Sequence, residues 1–288
     1  MKRIKKIIKC LSLVLIVTLF TGCTHDSMED ITIYTSVYPI EYITNVLYGT
    51  HSKTLSIYPS DIDPYTYKLT KKQIKNYSNS DLVIYNGLGD EKNYIVDMLN
   101  ENGGLKIIDA TAKIEYTNGI DEIWINPSNM ITIAQNIKNG LNEYINSTIL
   151  TDEIDEKYEK LKLALSTLDA NLKETAQNAK YTTLLVADDD FKILEKYGLE
   201  IVSIDPDTIT DKELADAKYL LTNGDVEYII TQKGYEETDI MKDLKDNYDA
   251  EYLDIDTLNN LSAEDKNNNK NYITIMNNNI EKLKKELY

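Results

Sequence analysis

The chain has 288 residues, with 31 Lys and Arg against 48 Asp and Glu, a formal charge of −17 and only two histidines and two cysteines. So acidic a chain argues against nucleic acid and anionic lipid headgroups as partners, because both are bound through clustered Lys and Arg. It also excludes triads or zinc sites built on several histidines.

Lys2, Arg3, Lys5, Lys6 and Lys9 form a cationic start, and Leu11 to Phe20 is an apolar run too short for a comfortable membrane span. The run closes on Leu19-Phe20-Thr21-Gly22-Cys23, the ending of a bacterial lipoprotein signal peptide. Residues 1–22 are thus expected to be removed, with Cys23 diacylated and the protein tethered to the outer face of the cell membrane. Two acyl chains suffice for stable anchoring. An ordinary secretory signal with an incidental cysteine is the competing reading. Maturation would leave 266 residues and take the formal charge from −17 to −22, since the signal holds five basic and no acidic residues. With Cys10 removed and Cys23 lipidated, no disulfide or thiolate ligand remains. Residues 23–30 read as a tether.

Beyond the tether, apolar runs with β propensity alternate with helical patterns. Ile31–Tyr38, Thr54–Pro59, Asp81–Gly87 and Lys106–Thr111 predict strands, with helices over Ile40–Tyr48 and Leu69–Tyr77. The rhythm returns at Thr182–Ala187, Leu199–Asp205, Glu227–Thr231 and Glu251–Asp256, and a final helix is predicted over Tyr272–Leu287. Between the halves, Ile154, Tyr158, Leu161, Leu165, Leu168 and Leu172 recur at steps of four and three, one face of a helix over Asp152–Asn178. Such a helix is about 40 Å long, the length of a domain. The predicted fold is α/β: two parallel-sheet lobes, 31–150 and 181–288, joined by one long linking helix at 151–180. A helical hairpin or a coiled-coil dimer seam is the alternative for that helix.

Several segments resemble the metal-binding lipoproteins of ABC importers for zinc and manganese. Tyr38-Pro39, Pro59-Ser60-Asp61-Ile62-Asp63-Pro64-Tyr65-Thr66-Tyr67 and Ser80-Asp81-Leu82-Val83-Ile84-Tyr85-Asn86-Gly87-Leu88-Gly89 are similar to motifs of that family. So are Asp121-Glu122-Ile123-Trp124-Ile125-Asn126-Pro127, Phe191 with Lys196-Tyr197-Gly198-Leu199, and Tyr272-Ile273 with Met276. The matches run in order from about residue 31 to 287. The resemblance implies two lobes bridged by a rigid helix, a divalent metal ion between them, and a permease with its ATPase as partners.

The family's ligands are histidines and carboxylates. Its histidine positions fall on Tyr65, on Glu122, and on Ala187 with Asp188 beside it, and its last carboxylate falls on Asp254. The set Tyr65, Glu122, Asp188 and Asp254 is therefore the expected metal site, and it is oxygen-only. Zinc prefers nitrogen and sulfur donors, whereas oxygen sites suit manganese, magnesium, calcium or ferric iron. A metal-bound phenolate would require Tyr65 to lose a proton whose free pKa is near 10. The bland alternatives are a hydrogen-bonded Tyr65 in a pocket wall and solvated carboxylates at Glu122 and Asp188. Asp188-Asp189-Asp190 reads as a loop and helix N-cap, His51 as a surface histidine, and Trp124 as packing beneath the site.

No Walker loop, Gly-x-Ser-x-Gly or Cys-x-x-Cys is present, so no enzyme is predicted. The leading expectation is the solute-binding component of a metal-ion importer, taking manganese, zinc or iron. The alternative is a surface interaction or adhesion lipoprotein that kept the scaffold and lost the metal.

Overall fold

The computed structural model describes residues 28–288. The expected signal peptide, Cys23 and the tether up to residue 27 lie outside the described residues. Among the described residues, no helix is long and apolar enough to cross a membrane.

All eight expected strands form. The first sheet contains β1 (Ile31–Thr35), β2 (Ser52–Ser56), β3 (Leu82–Tyr85) and β4 (Lys106–Asp109), in the order β2-β1-β3-β4. The second contains β5 (Thr183–Val186), β6 (Glu200–Ser203), β7 (Tyr228–Gln232) and β8 (Glu251–Ile255), in the order β6-β5-β7-β8. Every pairing is parallel. Central strands of a parallel sheet are covered on both faces, so they read as unbroken apolar runs. Leu82-Val83-Ile84 and Leu184-Leu185-Val186 are such runs, and all six residues are wholly buried.

Both sheets reverse their direction of growth in the same place, between β1 and β3 and between β5 and β7. A crevice opens beyond the C-terminal strand ends at such a switch point, and ligands of open α/β sheets bind there.

Helices α1 (Tyr38–Tyr48), α2 (Lys71–Tyr77) and α3 (Glu91–Glu101) cover the first sheet, followed by a short α4 (Glu122–Ile125) and by α5 (Pro127–Tyr144). The linking helix α6 runs from Thr148 to Gln177, four residues earlier than its apolar spacing indicated, because Ser147 caps its start by accepting from the Leu150 N–H. Leu150, Ile154, Tyr158, Leu161, Leu165, Leu168 and Leu172 are buried along one face. The second lobe adds α7 (Asp211–Asn223), α8 (Asp239–Tyr248), the short α9 (Ala263–Asn267) and α10 (Tyr272–Leu287).

Two helices tie the lobes together. Near its start, Glu153 of α6 meets His51 beside β2 at 2.9 Å; near its end, Asp169 accepts from the Tyr197 hydroxyl of the second lobe at 2.7 Å. His51 is thus a half-buried anchor of the linking helix rather than a free surface residue. Helix α10 runs alongside: the Tyr272 hydroxyl donates to the Trp124 carbonyl at 2.7 Å, while Glu286 at the other end accepts from the Tyr228 N–H of β7 at 2.8 Å. One hydrophobic cluster runs through both lobes, with Leu82 and Ile84, then Trp124 and Leu165, then Phe191, Val186 and Ile230. Each lobe keeps a smaller core of its own.

Candidate functional site

Beyond the C-terminal ends of both sheets lies a cleft of about 990 Å³. The first lobe supplies Asp61, Asp63, Tyr65 and Asp121; the second supplies Asp188, Asp190, Gln232 and Lys233. A strap running from Asp256 to Ala263, just after β8, closes one side. It is held to the first lobe by Tyr38 N donating to the Asn259 carbonyl at 3.3 Å, Asn260 Nδ2 to the Ile62 carbonyl at 2.6 Å, and Ala263 N to Asp61 Oδ1 at 3.1 Å.

Asp121 is the centre of the cleft's hydrogen bonding and is only 2% exposed. Its Oδ1 accepts from the Tyr65 hydroxyl, which in turn accepts from Trp124 Nε1 at 2.9 Å. Its Oδ2 accepts from Thr257 Oγ1 at 2.7 Å and Asn259 Nδ2 at 3.1 Å. Burial pushes the Asp121 carboxyl up to about 6, against the opposing pull of these donors. Burial of the Tyr65 hydroxyl, with Asp121 beside it, pushes the phenol well above its usual range. Tyr65 is therefore a neutral donor to Asp121, the opposite of the phenolate that metal ligation by this residue needs. Trp124 does pack beneath the site, wholly buried, and its indole also orients the phenol.

The Asp triplet begins a 3₁₀ helix over Asp189–Tyr197, and Asp188 is its N-cap, accepting from Asp190 N at 2.8 Å. Asp189 turns inward to Ser203, Thr208 and Lys192 at 2.5, 2.9 and 2.8 Å. Asp190 reaches toward the first lobe, accepting from Glu122 N at 3.3 Å and from Gln232 Nε2 at 3.0 Å. A Cβ at Gly119 would lie 2.0 Å from Asp190 Oδ1, so a larger residue there would push the Asp190 carboxylate out of its place. Burial, then Asp121 and Asp188, push Asp190 up to about 8; burial also raises Asp188.

The four residues expected as a ligand set do not converge. Tyr65 and Asp188 line the cleft, and Glu122 and Asp254 do not. Glu122 is 4% exposed and closes the preceding loop on itself, accepting from Thr117 N at 2.8 Å and from Asn118 N and Nδ2, both at 3.1 Å. Asp254 lies within β8 on the solvent side, accepting from Thr231 Oγ1 at 2.7 Å. The cleft begins beyond the strand end, so Asp256, two residues on, lines it instead and pairs with Lys233 at 3.0 Å. Among the described residues, no group of three or more His, Cys, Asp and Glu side chains is placed to hold a metal ion.

Asp121, Asp190, Asp256, Gln232 and Asn259 are among the cleft residues that the sequence pattern did not single out as ligands. Asp121 and Asp190 were within reach of it, one residue before Glu122 and two after Asp188. Gln232 and Asn259 carried no local signal.

The family model described as ZnuA, zinc-uptake complex component A periplasmic, matches residues 33–286. The high-affinity zinc uptake system protein ZnuA of Bacillus subtilis (strain 168) is 22% identical over 293 residues, covering 92% of this chain and 90% of that protein. Among solved structures, the metal-dependent lipoprotein YcdH from Bacillus subtilis superposes with a TM-score of 0.75 at 21% identity, over 90% of this chain and 99% of that one. The Zn(II)-bound ZnuA-like domain of Streptococcus pneumoniae AdcA gives 0.73 at 20% identity, with coverage of 90% and 99%. A Mn-bound mutant of a periplasmic metal binding protein from candidatus liberibacter asiaticus gives 0.72 at 16% identity, with coverage of 90% and 100%. With a match across nearly all of the described residues, the chain belongs to the ZnuA family of periplasmic zinc-uptake components.

Proposed function

We propose that this protein is the extracytoplasmic solute-binding component of a metal-type ABC importer, held at the cell membrane through a lipidated Cys23. The observation that carries the reading is the family match over residues 33–286 together with the acidic cleft at the two switch points. Its parts are a signal at 1–22, a tether at 23–30, lobes at 31–150 and 181–288, and a linking helix at 151–180. Bracing by α6 and α10 supports small lobe movements during capture and hand-over to the permease and its ATPase.

The cargo site is oxygen-only. Asp121 and Asp190 take the central role from Glu122 and Asp254, with Asp188 beside them, while Tyr65 serves as a neutral donor to Asp121 rather than as a ligand. Such donors favour manganese, iron or calcium over zinc. An ion must first displace neutral donors from Asp121 and protons from Asp190, so affinity is lower than in a site of free histidines.

The test is a thermal-shift series on purified protein with zinc, manganese, iron and calcium. Saturable stabilisation is expected with an oxygen-preferring ion and little with zinc. At a hundred times the dissociation constant, binding adds about 2.7 kcal/mol, a readily visible shift. Chelator-resistant stoichiometric zinc would overturn the oxygen-only reading. The second reading, a surface interaction lipoprotein, is favoured by one observation: the Asp121 oxygens are already held by Tyr65, Thr257 and Asn259. It is adopted if no ion gives a shift. The anchor is tested separately: Cys23→Ala should release the protein from membranes or leave its precursor unprocessed, and a mature-length variant still in the membrane fraction would disprove lipidation.

A further inference from the structure

The three donors on Asp121 come from two segments that are neither strand nor helix. Tyr65 belongs to the first-lobe loop after β2, and Thr257 and Asn259 belong to the strap after β8. A carboxylate offers about four lone-pair directions, two on each oxygen. Tyr65 takes one on Oδ1, and the strap takes both on Oδ2. A cation that binds Asp121 through Oδ2 must therefore take the place of the strap's own donors.

Those donors are also part of what fastens the strap to the first lobe. Its other ties are few and lie close by. The Tyr38 N–H donates to the Asn259 carbonyl at 3.3 Å, Asn260 Nδ2 to the Ile62 carbonyl at 2.6 Å, and Ala263 N to Asp61 Oδ1 at 3.1 Å. Just beyond the strap, Lys266 Nζ donates to Ser60 Oγ at 3.1 Å. Leu258, between the two residues that grip Asp121, has a φ of 67°, in the left-handed region. A bulky residue is strained there and stays only where its surroundings hold it. Leu258 is held by its burial in the core shared by both lobes and by the grip on either side. Losing that grip would let the strap relax.

We propose that the strap is a cargo-sensitive latch: a cation taking Asp121 displaces Thr257 and Asn259, and this loosens the strap from the first lobe. The inference rests on the cation-binding reading of the cleft given above. Thr257 and Asn259 then set a threshold, passed only by an ion that Asp121 prefers to two hydrogen bonds. At hand-over the same donors reclaim Oδ2 and favour release of the ion.

Thr257→Val and Asn259→Ala each remove one competing donor. Binding of manganese and of calcium is measured by calorimetry and thermal shift at pH 8, where the Asp121 carboxyl, raised to about 6, is ionised. Each variant should bind the ion roughly tenfold more tightly than the unaltered protein, the scale of one hydrogen bond to a charged group. Each should also melt lower without the ion. In the unaltered protein, saturating calcium should speed amide exchange at Tyr38 and Ala263 several-fold, while exchange in the central strands does not rise. Ion binding by the variants alone would support the latch. Equal affinity in both variants and the unaltered protein would overturn the latch and leave the cation reading standing. Weaker binding would overturn it in favour of the Thr257 and Asn259 oxygens as ligands of the ion. Slower exchange at Tyr38 and Ala263 would also overturn it, as the mark of a strap that closes over its cargo. The exchange measurement decides the matter should a variant fail to fold. If neither ion binds any of the three proteins, the latch falls together with the cation reading.

Discussion

Asp121 and Asp190 face each other across the cleft, one from each lobe, and both are almost completely buried. Their surroundings differ. Asp121 accepts from three neutral donors, Tyr65, Thr257 and Asn259, whereas Asp190 accepts from Glu122 N and Gln232 and has Asp121 and Asp188 as neighbouring charges. Burial raises both carboxyls, but Asp121 only to about 6 and Asp190 to about 8. Burial of similar depth thus leaves one carboxyl mostly ionised at neutral pH and the other mostly protonated. The donors and charges nearby decide which. A cation entering the cleft would meet one ready carboxylate and one that must first release a proton.

The two carboxyls meet only because one shared core holds the lobes in register, and breaking that core should have the largest effect. Leu165 is wholly buried on the inner face of α6. Leu165→Ala should cost about 2–5 kcal/mol in denaturant unfolding, with a single transition retained. A loss under roughly 0.5 kcal/mol, or two separate transitions, would mean that the helix is not a brace.

Next in size is Asp121→Ala. It leaves the Tyr65, Thr257 and Asn259 donors without their acceptor, so a loss of about 1–3 kcal/mol is expected. Thermal melts at neutral pH test this, and an unchanged melting point would mean that water replaces the carboxylate without cost.

The smallest effect should have the opposite sign. Asp190 has a folded-state pKa raised above its unfolded value near 3.8, so between about pH 4 and pH 8 the folded protein binds more protons than the unfolded chain. Its contribution therefore favours folding at low pH and is lost as pH rises through that window. Asp190→Asn removes the charge while keeping an acceptor for Glu122 N and an amide that Gln232 can meet by turning its own. The variant should melt higher than the parent at pH 8, by a few degrees for about 1 kcal/mol, and the gain should vanish near pH 4. A lower melting point at pH 8 would show that the ionised form is the one the cleft stabilises.

Local pattern carried far through this fold. The unbroken Leu82-Val83-Ile84 and Leu184-Leu185-Val186 runs announced buried parallel strands, and the four-and-three spacing from Ile154 to Leu172 named the buried face of α6 residue by residue. The last helix falls on Tyr272–Leu287, as its pattern indicated. The candidate site was legible only in part. Tyr65 and Asp188 line the cleft, while Glu122 caps its own loop, Asp254 faces solvent, and Asp121, Asp190 and Asp256 sit where their neighbours were expected.

The physical reason is range. Strands, helices and their buried faces follow from contacts within a turn or a pleat, and those are written in residues two to four apart. The sequence by itself therefore determined the two α/β halves, the helix between them and the apolar face it buries. The cleft depends on partners far apart in the chain: Tyr65 lies 56 residues from Asp121, Thr257 136 and Asn259 138. One step, from Glu122 to Asp121, or two, from Asp254 within β8 to Asp256 just past its end, separate a carboxylate outside the cleft from one inside it. Which acidic residue enters the cleft, and which one closes a loop, was decided only when the two sheets met across α6 and α10.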